Sequence, residues 1–163
     1  MPPFIAQSPD QLPGPDRILS MSGLDFMRGI LDGTVSGPPI GELMNYQLDQ
    51  VEEGRVVFRG APDFATMNPM GTVHGGWYGT LLDSCMGCAI MTTVPKGSLY
   101  TTLEYKVNIN RTVPVGTKVL AIGVVQHAGR TTGVASGEIR GAQDGRLYAT
   151  GSTTCMVFTP NPA

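Results

Sequence analysis

Hydrophobic positions recur at helical spacing in residues 22–33, SGLDFMRGILDG, where Leu24, Met27, Ile30 and Leu31 share one face. Ser22 is a candidate N-cap and Gly33 a stop. The polar side of this short helix has no basic cluster, so its stripe is expected to pack on the domain rather than on a membrane. From Gly41 the period falls to two, and ELMNYQLDQVEEGRVVFRGAP reads as a hairpin turning near Glu53 and Gly54. APDFATMNPMG reads as a loop. The one long helix follows, from about Gly76 to Thr93, stopped by Pro95 and Gly97. Alternating, threonine-rich runs at 98–110, 116–128, 132–142 and 146–158 predict four strands, separated by VPVG, AGR and the Asp-Gly hairpin signal QDG. Residues 1 to about 16 contain five prolines without periodicity and read as an arm. An α+β domain, one antiparallel sheet wrapped around the long helix, satisfies this order. The chain divides into an N-terminal arm and helix over 1–36, the main domain over 37–159 and a tail over 160–163.

The long helix poses the chemical question. In TVHGGWYGTLLDSCMGCAIM, residues 72–91, the run after Trp77 is apolar and small-residue-rich on nearly every side. Such a helix belongs in a core, and interior glycines, each costing about 1 kcal/mol, point to close approach by other chain segments. Yet it carries one carboxylate, Asp83. That residue reads either as a helix-edge acid satisfied by solvent or arginine, or as a desolvated acid kept for chemistry. His74-Gly75-Gly76 before the helix leaves amide N–H groups at the positive end of the helix dipole. Without Cβ atoms, Gly75 and Gly76 admit a substrate to the backbone, where amides can hold an oxyanion. The bland alternative is a glycine pair serving only a tight turn.

Composition narrows the classes. A chain of 163 residues with 41% hydrophobic and 15% charged residues makes one globular domain, and the low charge suggests surface covered by another subunit. A net charge of −2 with scattered cations gives no field for nucleic acid. Cys85, Cys88 and Cys155 are too few and odd in number for a disulfide framework, which suggests a reducing compartment. The N-terminus lacks a signal-peptide pattern, and no apolar run is long enough to span a bilayer, so a soluble cytoplasmic protein is expected.

The pattern NPMGTVHGGWYGTLLD, with Asn68, His74-Gly75-Gly76 and then Asp83 nine residues after the histidine, resembles the hotdog-fold acyl-CoA thioesterases of the phenylacetate-degradation (PaaI-type) group. The strand TTLEYKVNINRTVPVG after the helix adds to the resemblance, which covers about residues 40–158. It implies that Gly75 N–H holds the thioester carbonyl oxygen, that Asn68 lies beside the reacting carbonyl or the water, and that His74 orients or polarises that group. Asp83, reaching across from the other subunit of a dimer, is implied as general base or nucleophile, with Thr102 beside it, or Thr101 if the alignment slips by one. The family pairs two chains through their sheets and often assembles into tetramers. No cofactor is implied, coenzyme A being part of the substrate. This agrees with the chemistry: a thioester carbonyl is electrophilic, so water, one base and an oxyanion site can suffice.

Other groupings are weaker. Cys85 and Cys88 form a C-x-x-C in mid-helix, where packing is favoured over redox or zinc chemistry, and too few further ligands complete a closed zinc site. His127 reads as a rim residue, and Trp77 as packing or as acyl-pocket lining. Arg130 with Gly129, and Lys96 after the helix, are candidates for a coenzyme A phosphate. A hotdog hydratase or dehydratase and a non-catalytic acyl-CoA binding module are the competing functions. The N-terminal forty residues exceed the minimal hotdog domain and are expected to cover the sheet edge or shape the acyl pocket.

Overall fold

The computed structural model describes residues 4–160. The first three residues of the expected arm and all but Pro160 of the expected tail lie outside the described residues. The arm contains structure that its prolines conceal. A 3-10 turn spans Pro9–Gln11, α1 spans Gly14–Leu19, and Ile5 bridges Gly37. Proline is the first residue of the 3-10 turn and the second of α1, both within the first turn, where a missing N–H costs nothing. α2 runs Gly23–Asp32, with the Ser22 hydroxyl accepting from Asp25 N–H at 3.1 Å and Gly33 in the left-handed conformation, φ 83°. Residues 41–43, expected in the first strand run, instead belong to the short helix α3 (Ile40–Leu43).

The hairpin β1 (Tyr46–Glu52) and β2 (Arg55–Gly60) turns at Glu53 and Gly54. The loop beyond it holds a 3-10 turn, Phe64–Thr66. α4 spans Gly75–Met91 and is followed by β3 (Leu99–Ile109), β4 (Val119–Ala128), β5 (Thr132–Gly141) and β6 (Leu147–Phe158). All pairings are antiparallel, in the order β1-β2-β4-β5-β6-β3. The sheet curls around α4, which touches every strand. Leu81, Leu82, Cys85, Met86, Ala89 and Ile90 of α4 are fully buried. The expected architecture, one sheet wrapped around one long helix, is the one observed.

Sheet and helix approach closely. At Gly123 in β4 a Cβ would overlap the Cys85 carbonyl of α4, backbone against backbone. Neither partner can rotate away, so Gly123→Ala is expected to cost about 3 kcal/mol, at the upper end of overpacking. A fall in the urea midpoint with an unchanged slope checks this.

The two sheet edges differ. α2 and α3 pack on β1, and Gly23 N–H of α2 donates to Val94 O at 2.9 Å just beyond α4. β3, the other edge, has no such cover among the described residues, and Leu103, Tyr105 and Ile109 are exposed on it at 61%, 46% and 49%. A long bare edge with apolar side chains is one that natural sheets normally pair or cover.

Candidate active site

α4 begins on a side-chain cap. His74 is the N-cap, in extended conformation, and its Nδ1 accepts the Gly76 N–H at 2.9 Å. An accepting Nδ1 carries no proton, so in this arrangement the neutral ring bears its proton on Nε2. The two amides expected to be free are therefore unequal: Gly76 N–H is engaged by His74, whereas Gly75 N–H has no acceptor among the described residues. Gly75 is the first residue of the helix, where an orphan N–H also feels the helix dipole.

The preceding loop is held by Asn68. Its Oδ1 accepts from the N–H groups of Met70 (2.9 Å) and Thr72 (3.2 Å), and its Nδ2 donates to Thr72 Oγ1 at 2.8 Å. Met67 bridges Val73, and His74 N–H donates to Thr66 O at 2.8 Å. Asn68 thus shapes the loop that delivers the His-Gly-Gly turn, with one amide hydrogen left over.

Asp83 lies two turns along α4, on a stripe at four-residue spacing: Gly75, Gly79, Asp83, Gly87. This stripe faces β3. A Cβ at Gly75 would meet Ile109 at 3.7 Å, one at Gly79 would meet Tyr105 at 3.4 Å, and one at Gly87 would meet the Tyr100 hydroxyl at 3.0 Å. The glycines give these side chains room, and Asp83 fills the remaining position. Thr102 Oγ1 donates to Asp83 Oδ1 at 3.1 Å. Asp83 Oδ2 has no partner among the described residues.

A bulge makes this register work. Thr102 pairs Cys155 and Glu104 pairs Thr154, so Leu103 is extra. Residues three apart in a regular strand face opposite sides, but the inserted Leu103 turns both Thr102 and Tyr105 toward α4. Sequence reading missed the bulge, since nothing in TTLEYK marks it. It also missed Tyr100 and Tyr105, which the glycine spacing on α4 could have suggested. Between the two threonines left open by the sequence, Thr102 meets the acid, and Thr101 is exposed.

Burial raises the Asp83 pKa above the usual carboxylate range, and the Thr102 hydrogen bond offsets part of that rise. Asp83 is half-buried, while His74, Gly75 and Gly76 are exposed. Within one chain the two halves do not meet, because eight residues of helix separate Gly75 from Asp83 by about 12 Å.

Lys96 follows the far end of α4, about 24 Å along the helix axis from Gly75. The exposed Arg130, beside Gly129, lies in the β4–β5 turn at that same end. Trp77 is buried and its indole N–H donates to Met44 O at 2.8 Å, so it packs in the core. Cys85 is buried, and burial pushes the Cys88 thiol up to about 12. His127 is exposed on β4. Among the described residues no group of three or more His, Cys, Asp or Glu side chains converges to hold a metal ion, and no helix is long and apolar enough to cross a membrane.

Residues 70–148 match the thioesterase superfamily, a span that includes His74, Gly75, Asp83 and Thr102. No curated protein matches the chain in sequence. Among solved structures, a thioesterase family protein of Silicibacter pomeroyi is 27% identical, with 75% of this chain and 90% of that chain covered and a TM-score of 0.69. A hypothetical thioesterase protein of Streptococcus pneumoniae, solved with coenzyme A, is 26% identical over 76% of this chain and 93% of that one, with a TM-score of 0.66. A phenylacetic acid degradation-related protein of Ralstonia eutropha is 26% identical over 80% of this chain and 98% of that one, with a TM-score of 0.73. The fold is the hotdog fold of the thioesterases.

Proposed function

We propose that this protein hydrolyses acyl-CoA thioesters as a dimer, with each active site shared between two chains. The observation that carries the reading is a half-buried acid, Asp83, held by Thr102, on the same helix as an orphan N–H at Gly75 that it cannot reach. Two chains joined antiparallel along β3 supply what one lacks. Setting Asp83 against the partner's Gly75 puts the two-fold axis midway, at Gly79, under Tyr105 of the bare edge. The superfamily match across these residues supports the activity, and the coenzyme A bound to the pneumococcal protein supports the substrate class.

In this reading the thioester carbonyl oxygen accepts from Gly75 N–H of one chain. Thr102 holds Asp83 Oδ1 of the other, leaving Oδ2 to take a proton from water as the water oxygen bonds to the carbonyl carbon. The tetrahedral oxyanion rests on the Gly75 amide at the helix N-terminus. Its collapse breaks the C–S bond, and the protonated Asp83 returns its proton to the departing thiolate. Direct attack by Asp83 through a mixed anhydride uses the same carboxylate. His74 acts on the geometry by occupying the Gly76 amide, and Asn68 by holding the loop.

Mixed dimers test both the reaction and the shared site. An Asp83→Asn chain and a Gly75→Pro chain are each expected to release little free thiol from acyl-CoA. Co-refolded, they form dimers with one intact site and regain turnover. Two active single variants, or a mixture as inactive as its parts, would sink the proposal.

A further inference from the structure

We infer that Cys155 is a positioning residue for the proposed reaction: its thiol donates to the Thr102 hydroxyl and commits that hydroxyl's proton to Asp83 Oδ1. The inference rests on the proposed thioester hydrolysis at Asp83. Cys155 lies on β6 directly opposite Thr102 of β3 and is fully buried. Its Sγ stands 3.8 Å from Thr102 Oγ1 and 4.0 Å from Thr153 Oγ1, within reach of a weak S–H donor. Counting protons fixes the direction. Each threonine hydroxyl has one proton to give and lone pairs to receive another. Thr153 spends its proton on the Glu104 carbonyl at 2.7 Å, and Thr102 spends its own on Asp83 Oδ1 at 3.1 Å. Both therefore turn lone pairs toward the thiol, which is left as the donor between them and lies nearer Thr102. Glu104 follows the bulged Leu103, so the bond from Thr153 also ties down the bulge that turns Thr102 toward α4.

In the line from Cys155 through Thr102 to Asp83 every proton points toward the carboxylate, and this favours the ionised acid. Were Asp83 protonated and donating to Thr102, the hydroxyl would have to turn its own proton toward the thiol, a poor acceptor. Without the thiol's hydrogen the Thr102 bond weakens, and the folded acid takes up its proton more readily. The other titratable groups near the Asp83 charge are Tyr46 on β1, Cys85 and Cys88 on α4 and Tyr100 on β3. Burial holds each of them above its ordinary value, so among these groups Asp83 alone titrates in acid. Glu104 and Lys106, farther along β3, are exposed. The partner's His74 approaches in the proposed dimer and is common to every variant compared.

The experiment follows kcat/KM against pH by thiol release from acetyl-, butyryl-, phenylacetyl- and decanoyl-CoA. Cys155→Ala and Cys155→Val both remove the donor, one with a smaller side chain and one with a larger, so an effect of packing separates them. Loss of the donor moves both alike. The acid limb shifts up by about 0.3–0.5 pH unit, and rates on the limb fall roughly two- to threefold with the plateau above it kept. Thr102→Val moves the limb farther, by about one unit, and adding Cys155→Ala to it changes nothing more. A second measurement needs no turnover. The infrared S–H band of Cys155, obtained by subtracting the spectrum of Cys155→Ala, is expected to move to higher frequency in Thr102→Val as the bond is lost. An unmoved limb in the two Cys155 variants, an undiminished shift on the Thr102→Val background, or an unmoved band overturns this inference while leaving thioester hydrolysis standing. No thiol release by the wild-type protein from any of these substrates overturns both.

Discussion

Asp83→Asn is expected to fold and to lose about three orders of magnitude in kcat, the range seen when a positioned general base is removed. Asparagine matches aspartate in shape, and its amide can still meet Thr102, so packing against β3 is retained. What disappears is the group that takes the proton from water or attacks the carbonyl. The wild-type pH profile should carry the signature of the same group. Only the ionised acid is active, and burial holds its pKa above the ordinary carboxylate range. Activity should therefore rise with pH through that elevated pKa, on an acid limb lying above where an exposed aspartate would place it. Stability moves the other way. A folded pKa raised above the unfolded one favours the native state below the unfolded pKa, and that advantage is lost as pH rises through the folded value. At pH 8 the ionised acid burdens the native state, and Asp83→Asn is expected to melt at or above the wild type, the difference shrinking toward pH 4. A thiol-release assay and thermal melts at both pH values check the two halves. Near wild-type turnover in the variant would remove Asp83 from the chemistry.

Gly75→Pro isolates the other half of the site. Gly75 is the first helical residue, has no positive φ, and would place a Cβ at an ordinary 3.7 Å from Ile109. Proline is welcome at that position of a helix, and the preceding His74 already has the extended conformation that proline requires, φ −64° and ψ 139°. The substitution thus deletes one N–H and little else. If that N–H stabilises the oxyanion, kcat falls about 10²- to 10³-fold with the melting temperature preserved. Gly75→Ala, which keeps the N–H, is the comparison that separates the lost donor from added bulk. A proline variant with undiminished kcat would mean that the oxyanion is held elsewhere.

These variants show where reading the chain succeeds. Periodicity located α2, α4 and the six strands because burial on one side imposes a period of two or 3.6, and a hairpin or helix is a local event. The α2 cap at Ser22, the turn at Gly54 and the stop at Gly33 are spelled by residues adjacent to the features they make. The resemblance pointed to Asp83 and Thr102, and the structure brings them to 3.1 Å.

Other features depend on contacts between segments far apart in the chain. Proline in a first helical turn looks like a breaker until the helix behind it is seen, so the structure within the arm was hidden. Leu103 bulges because β6 skips it, and that pairing spans some fifty residues. Whether Gly76 N–H is free depended on a side-chain rotation of His74 that no spacing encodes. The order of the chain determined that one sheet would wrap one apolar helix bearing a single acid. Only the folded molecule decided which amide stays open, which aromatic rings flank the acid, and which sheet edge is left bare, because each follows from steric fit between surfaces that meet after the chain has closed on itself.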